Sequence, residues 1–305
     1  MSTNGESHAG EGFIMVGAGY RIHVPQIKKP SLARRLRGKP LISLIILLLI
    51  IAGCICAPLL EIHDAHGFYL RNVNQAPDAE FYFGTDTLGR DLYSMMWYGG
   101  RTSIAIGIFG AAIIAVVGTI YGCISGTAGD WLDSVMMRIT EICGSIPSLL
   151  FVLILSAVLK AENVFRLSLV IGLTGWFGLS RIVRSEVRQI RNSEYILYAR
   201  CMGGSFLYTM YRHLVPNFIS AIMFSVISSV SSCITTETTL SFLGLGLPVD
   251  VISWGSMLSL ADKALIMKSW WVIIFPGLFL VATLMCITNL GSYFRKEVNR
   301  KPSNL

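Results

Sequence analysis

The chain has 305 residues, of which 53% are hydrophobic and only 14% are charged, and its net charge is +7. Soluble globular domains contain about 25% charged residues, so this composition argues against a soluble protein, and the high hydrophobicity argues against a disordered one. The apolar runs are continuous rather than alternating, which favours membrane-spanning helices over a membrane β-barrel. We therefore predict an all-α protein that crosses the membrane several times.

Residues 1–40 are predicted to form a tail on one side of the membrane. Residues 1–20 are polar and glycine-rich, which is typical of disorder, whereas residues 21–39 contain seven lysines and arginines. Such a basic stretch is typical of a segment that lies on an anionic lipid surface. The uncharged residues 41–60 form the first predicted span, because this run is too long for a signal peptide and lacks a small-residue cleavage site.

A polar segment, residues 61–100, follows the first span and contains a possible metal site. His63 and His66 are three residues apart, with Glu61 and Asp64 beside them. On a helix this spacing would place both imidazoles on one face, where they could bind a metal. A solvated loop explains the same residues without a ligand. We favour the loop and keep the two histidines as secondary candidates.

The same segment contains the string FGTDTLGRDLYSMMWYGGRTS at residues 83–103. Its first part has the glycine spacing of a phosphate-binding loop. However, Arg90 and Asp91 stand where lysine and serine or threonine are required, and no strand precedes the string, which argues against ATP binding. We predict instead a helix that is capped by Thr85 and has Asp86 in its first turn.

Five further apolar runs complete a prediction of six spans in a transmembrane domain, residues 41–295. With the N-terminus inside, the inner segments contain eighteen lysines and arginines and the outer segments six, when Arg101 at a boundary is left out. Basic residues gather on the cytoplasmic side, so we predict that both termini, including the tail 296–305, are cytoplasmic. The five runs are residues 102–129, 139–159, 167–180, 214–236 and 269–294.

The predicted cytoplasmic loop, residues 181–213, contains a helix–turn–helix pattern. An N-capping serine begins the first helix, Gly203 and Gly204 end it, and Ser205 can cap a second helix. Pro216 then opens the next span, where its missing N–H costs little. The loop carries many aliphatic and aromatic side chains. A solvated connection would not need them. The loop therefore needs a surface to pack against, either the protein's own helix ends or another protein, and we favour another protein.

Residues 194–217 contain E-Y-x-x-x-A-R-x-x-G-x-S followed by R-H-x-x-P-N. This pattern resembles the cytoplasmic EAA loop of ABC-importer permeases, which carries the coupling helix that docks on the ATPase subunit. Tyr198 and Gly204 depart from the family, where alanine is common at both positions, and these changes could reshape the docking surface. The resemblance implies that the ATPase-coupling residues are Glu194, Tyr195, Ala199, Arg200, Gly203, Gly204, Ser205, Arg212, His213, Pro216 and Asn217.

The string at residues 83–103 closely resembles the G-T-D-x-x-G-R-D segment of the dipeptide/oligopeptide/nickel permease family. The segments TTETTLSFLGLGLP and SWGSML are also similar, and the resemblance covers roughly residues 31–295. It implies the C-type permease subunit and the type I ABC-importer permease fold. A single proline, Pro248, replaces the family's proline-rich turn, and Ser292-Tyr293 replaces its Asp-Gly. The family motif comprises Gly84, Thr85, Asp86, Gly89, Arg90 and Asp91.

Two carboxylates lie in predicted spans, where a charged side chain is expected to face a cavity or a partner. Glu237 lies near the outer end of its span, and we consider both a structural contact with another subunit and a pathway or gate role. Glu141 lies near the inner end of its span. We favour a structural pair between Glu141 and Arg138, which is three residues away, over a pathway role.

The resemblance implies a non-catalytic subunit that forms half of a translocation pathway for peptides in a bacterial cytoplasmic (inner) membrane. Its expected partners are a second homologous permease, two ABC ATPases that bind ATP and Mg, an extracytoplasmic substrate-binding protein and lipid. No cofactor in this chain and no nucleic acid are expected. Nickel import is the alternative cargo, with His63 and His66 as its only local support. A stand-alone channel or intramembrane enzyme is a further alternative, and it could use only Glu141 and Glu237.

Overall fold

The computed structural model describes residues 40–191, 215–248 and 250–300, with side chains omitted at 215–221 and 298–300. Within these ranges the regular structure is helical and no strand is formed, which confirms the all-α prediction. The predictions for residues 1–39 lie outside the described residues.

Ten α-helices occur in the described ranges, together with a short 3-10 turn at Leu70–Asn72. In chain order the helices are α1 (Leu41–Ile55), α2 (Ala57–Leu60), α3 (Leu92–Thr127), α4 (Asp130–Ser145), α5 (Ser148–Leu159), α6 (Val164–Arg191), α7 (Val215–Phe242), α8 (Trp254–Leu258), α9 (Ala261–Ile266) and α10 (Trp271–Arg300).

Three of these helices, α3, α6 and α10, are long and apolar enough to cross a membrane. The pair α4 and α5 meets the same criteria as one broken span, which would be a fourth. Helix α1 is apolar but has only 15 residues, and α7 has 28 residues. These helices make the chain a multi-pass membrane protein, whereas the count of six spans is not confirmed and stays a prediction.

The predicted continuous span at residues 139–159 is wrong, because α4 and α5 meet at an angle of 92°. Helix α4 ends at Ser145, and Ile146 has an extended backbone with φ −75° and ψ 130°. The next residue is Pro147, which has no N–H to donate and disfavours the helical conformation of the residue before it. The proline therefore explains the break, which the apolar pattern alone does not show.

Two predicted loops are shorter than expected. Helix α3 begins at Leu92, inside the loop predicted at residues 61–100, and α6 continues to Arg191, inside the loop predicted at residues 181–213. The predicted spans end where charged residues appear. A helix can nevertheless continue beyond the apolar run that crosses the lipid. Pro216 is the second residue of α7, as predicted.

Helices α3 and α6 pack closely through glycines. Gly118, Gly122 and Gly126 recur every fourth residue and therefore lie on one face of α3. A Cβ atom at Gly122 would lie 2.6 Å from the carbonyl oxygen of Ser180, so the two backbones nearly touch there. Small residues at this spacing let membrane helices approach each other closely. The side chains opposite the three glycines are Leu179, Val183 and Val187.

Candidate functional site

The motif at residues 84–91 forms a closed turn ahead of α3. The Asp86 carboxylate is completely buried and accepts a hydrogen bond from the Arg90 Nε atom at 2.7 Å. It also accepts the backbone N–H groups of Leu88 at 2.8 Å and of Arg90 at 2.9 Å. Gly84 and Gly89 have φ angles of +73° and +76°, which favour glycine. The motif is therefore a structural turn in which the charges of Asp86 and Arg90 are already paired with each other.

The predicted cap of the following helix is wrong. Asp91, not Thr85, is the N-cap of α3, because its carboxylate accepts the backbone N–H groups of Tyr93 and Ser94, each at 3.2 Å. The Thr85 hydroxyl accepts the Gln75 amide at 2.9 Å instead. Thr85 is thus engaged in the preceding turn and cannot cap α3, and Asp86 lies before the helix rather than in its first turn.

The motif turn also packs on the beginning of α10. The indole Nε1 of Trp271 donates to the carbonyl oxygen of Thr85 at 3.0 Å. The ring of Phe83 stacks on that of Phe275, with centroids 4.2 Å apart and an angle of 11° between the planes. The motif therefore joins the beginning of α3 to the beginning of α10, which are far apart in the sequence.

Residues 61–83 form an ordered loop held by carboxylates. Asp78 accepts the backbone N–H groups of Phe81 at 2.7 Å and Glu80 at 2.9 Å, and the Phe81 N–H lowers the pKa of Asp78 below its usual value. Glu61 accepts the hydroxyl of Tyr98 on α3 at 2.7 Å. The bond from Tyr98 ties the loop to α3.

The two histidines of this loop have different surroundings. The His63 ring stacks on Phe81 with centroids 4.5 Å apart, and its Nδ1 lies 3.8 Å from the Asp91 carboxylate. The His66 side chain is 60% exposed and lies near Asp64. Across the described ranges, no group of three or more histidine, cysteine, aspartate and glutamate residues could hold a metal ion. The geometry gives no support to a metal site at the two histidines.

Glu237 is enclosed by hydroxyl groups at the end of α7. Its carboxylate is completely buried and accepts hydrogen bonds from Ser253 at 2.7 Å, Ser241 at 2.9 Å and Ser103 at 3.1 Å. These serines belong to the residue before α8, to α7 itself and to α3. A carboxylate enclosed in this way cannot itself touch a second subunit, which argues against the subunit-contact interpretation. The pathway or gate role stays a prediction.

Two of these serines, Ser103 and Ser253, also accept backbone N–H groups of α8, so that Glu237 orients α8 through them. The backbone N–H of Trp254 donates to the Ser103 hydroxyl at 3.2 Å, and that of Ser256 donates to the Ser253 hydroxyl at 2.9 Å. The Trp254 indole donates to the Met96 carbonyl at 3.1 Å. The hydroxyls of Ser103 and Ser253 thus each accept an amide hydrogen and donate their own hydrogen to the carboxylate. Glu237 therefore fixes the beginning of α8 against α3.

Glu141 has the partner that its spacing predicts. Its carboxylate lies 2.9 Å from the Arg138 guanidinium, and the two side chains are 54% and 79% exposed. The predicted pair is confirmed. At this exposure an ion pair contributes at most about 1 kcal/mol to stability. A pathway role for Glu141 stays a prediction.

The predicted coupling residues lie almost entirely outside the described residues. Pro216 and Asn217 belong to the first turn of α7, and their side chains are not described. The others, which are outside the described ranges, are Glu194, Tyr195, Ala199, Arg200, Gly203, Gly204, Ser205, Arg212 and His213.

Comparison with known proteins places the chain among transport proteins. Residues 118–300 match the family model described as "Binding-protein-dependent transport system inner membrane component". The oligopeptide transport system permease protein OppC of Bacillus subtilis (strain 168) is 38% identical, over 82% of this chain and 80% of that protein. OppC of Escherichia coli (strain K12) is also 38% identical, over 85% of this chain and 86% of that protein.

A third relative is named for a related transport system. The dipeptide transport system permease protein DppC of Bacillus subtilis (strain 168) is 35% identical, over 90% of this chain and 88% of that protein. The similarity therefore extends over most of the length of all three relatives.

Proposed function

Because this chain belongs to the family of binding-protein-dependent transport system inner membrane components, we propose that it is the permease subunit of an ATP-driven importer of peptides. The observation that carries the peptide cargo is the 35–38% identity, over most of the chain, to proteins named as oligopeptide or dipeptide transport permeases. The geometry around His63 and His66 gives no support to nickel, the alternative cargo.

The subunit is non-catalytic and works with partners. A second homologous permease completes the pathway, and two ABC ATPases bind and hydrolyse ATP with Mg, so that this chain holds no cofactor itself. An extracytoplasmic substrate-binding protein delivers the cargo, in keeping with the family's description. The protein lies in a bacterial cytoplasmic membrane with both termini inside, which is supported by the excess of basic residues in the inner segments.

Transport follows from movement of the two permeases between inward-open and outward-open arrangements. ATP binding closes the two ATPases. Residues 192–214 dock on the ATPases and are displaced when they close. The displacement reaches α6 first, because α6 ends at Arg191. The glycine contacts at Gly118, Gly122 and Gly126 make α3 and α6 move as one body, since a closely packed interface does not deform continuously.

A substitution in the coupling loop tests this function. We expect Gly203→Asp to abolish peptide uptake while the protein stays in the membrane, because the sequence places Gly203 at a helix end that favours the left-handed backbone. Uptake of labelled small peptides by cells, together with the amount of the chain in isolated membranes, measures both effects.

The matched control is the same substitution at Gly129, the N-cap of α4. No atom lies within 4 Å of a Cβ at this position, and aspartate is a favourable N-cap residue. We expect Gly129→Asp to transport at the wild-type rate. Normal uptake by Gly203→Asp at normal membrane levels would contradict the proposed coupling role of the loop.

A further inference from the structure

The last two turns of α6 carry three arginines on one face. Arg184, Arg188 and Arg191 are spaced four and three residues apart, which places them side by side on a helix. All three contact the junction between α3 and α4. Arg191 is also the last residue of α6, so this face directly precedes residues 192–214.

Asp133, in the first turn of α4, is the centre of these contacts. It is 2% exposed and accepts two hydrogen bonds from the Arg184 guanidinium, the Nε bond being 2.5 Å. It also lies 2.8 Å from the Arg188 Nη2 atom and accepts the Ser125 hydroxyl of α3 at 2.5 Å. Two-pronged arginine–carboxylate pairs are both strong and directional. One carboxylate thus joins α3, α4 and α6.

Arg191 adds a second tie between α6 and the end of α3. Its Nη1 atom donates to the carbonyl oxygens of Thr127 and Ala128, each at 3.0 Å. These carbonyls lie at the C-terminal end of α3, where a cation also interacts favourably with the helix dipole. The end of α6 is therefore fastened to α3 at Arg191 and to α4 at Asp133.

Helix α4 makes few other contacts with α3 and α6. Asp133 and Thr140 are its buried residues, and Tyr121 of α3 donates its hydroxyl to the Met136 carbonyl at 2.8 Å. Large apolar side chains of α4, such as Trp131, are exposed. Replacing a buried ion pair by apolar residues is often neutral for stability, so what this pair adds is directional geometry rather than stability.

We propose that Asp133 is a positioning residue for energy coupling, which transmits displacement of residues 192–214 from α6 to α4. This inference rests on the proposed function. Arg184 and Arg188 belong to α6, the helix that moves, and both bind the Asp133 carboxylate of α4. Helix α4 must therefore follow α6. Without the carboxylate, α6 can move while α4 lags, and ATP is then hydrolysed without a complete movement of the pathway.

The test is the number of peptides transported per ATP hydrolysed by the assembled importer in lipid vesicles, counted per assembled complex. We expect Asp133→Asn to lower this ratio by at least about tenfold, which is within the usual range of coupling between sites. Asparagine keeps the size of the side chain, but its single oxygen cannot accept all the donors. The matched control is Asp130→Asn on the same helix, whose carboxylate is fully exposed and lies 3.4 Å from Arg188. We expect the control to keep the wild-type ratio.

A second variant tests the same proposal if Asp133→Asn does not assemble into the importer. Arg184→Lys keeps the positive charge beside Asp133 but loses the two-pronged contact, and we expect a smaller fall in the same ratio. An unchanged ratio in the assembled variants overturns the proposal, including when total uptake falls only because fewer complexes form. Absence of ATP-dependent peptide uptake by the wild-type complex would instead overturn the proposed function.

Discussion

We expect replacement of Glu237 by alanine to destabilise the protein by about 3 kcal/mol, because three buried serine hydroxyls lose their acceptor. Ser103 and Ser253 also orient the backbone amides of α8, so the loss extends to the contact between α8 and α3. In detergent-purified protein this corresponds to a fall in Tm of roughly 8 °C. Thermal unfolding followed by size-exclusion chromatography of the heated samples measures it.

Glu141→Ala is the matched control, since it removes the same side chain from an exposed position on another helix. The Glu141 carboxylate is 54% exposed, and its partner Arg138 is 79% exposed. Removing an exposed ion pair changes stability by less than about 1 kcal/mol. If the two variants unfold within about 2 °C of each other, the assignment of Glu237 as the organising group of a buried network is wrong.

The second large effect is expected at Gly122. Gly122→Ala places a Cβ atom 2.6 Å from the Ser180 carbonyl oxygen and 2.7 Å from the Val183 Cβ, and a backbone oxygen cannot move aside by a rotamer change. Helices α3 and α6 must therefore separate. Overpacking of this kind costs about 2 kcal/mol, or a fall in Tm of roughly 5 °C.

The control for Gly122 is expected to change stability in the opposite direction. Gly178→Ala lies on α6, and no atom is found within 4 Å of its Cβ position. In an open position, alanine stabilises a helix by up to about 1 kcal/mol relative to glycine. Equal Tm values for Gly122→Ala and the wild-type protein would show that the two helices do not depend on this close contact.

Most of the helices could be predicted from the sequence, because a membrane requires long apolar runs. The ends of the helices could not be predicted. The apolar pattern indicates which residues lie in the lipid, but not where the backbone hydrogen bonding of the helix ends. Helix α6 continues to Arg191 past the end of its apolar run, although residues 181–191 include four arginines and one glutamate. Pro147 indicates the break between α4 and α5, but the residues around it form a continuous apolar run, which predicts an unbroken span.

The candidate site was predictable to a lesser degree. Glu237 stands out as a carboxylate in an apolar run, but its partners Ser103 and Ser253 come from distant parts of the chain and cannot be found by spacing. The three glycines of α3 do leave a signal in the sequence, the pattern G-x-x-x-G-x-x-x-G at residues 118–126, which is typical of closely packed membrane helices. Thr85 and Asp91 are both good capping residues, and only the turn between them decides that Asp91 caps α3.

The measurement that tests the central claim most directly is uptake of a labelled mixture of small peptides, and of labelled nickel, by cells with and without this gene. The proposed function predicts that cells without the gene lose peptide uptake and regain it when the gene is restored, while nickel uptake is unchanged. Unchanged peptide uptake, or loss of nickel uptake alone, would contradict the assignment of this chain to peptide import.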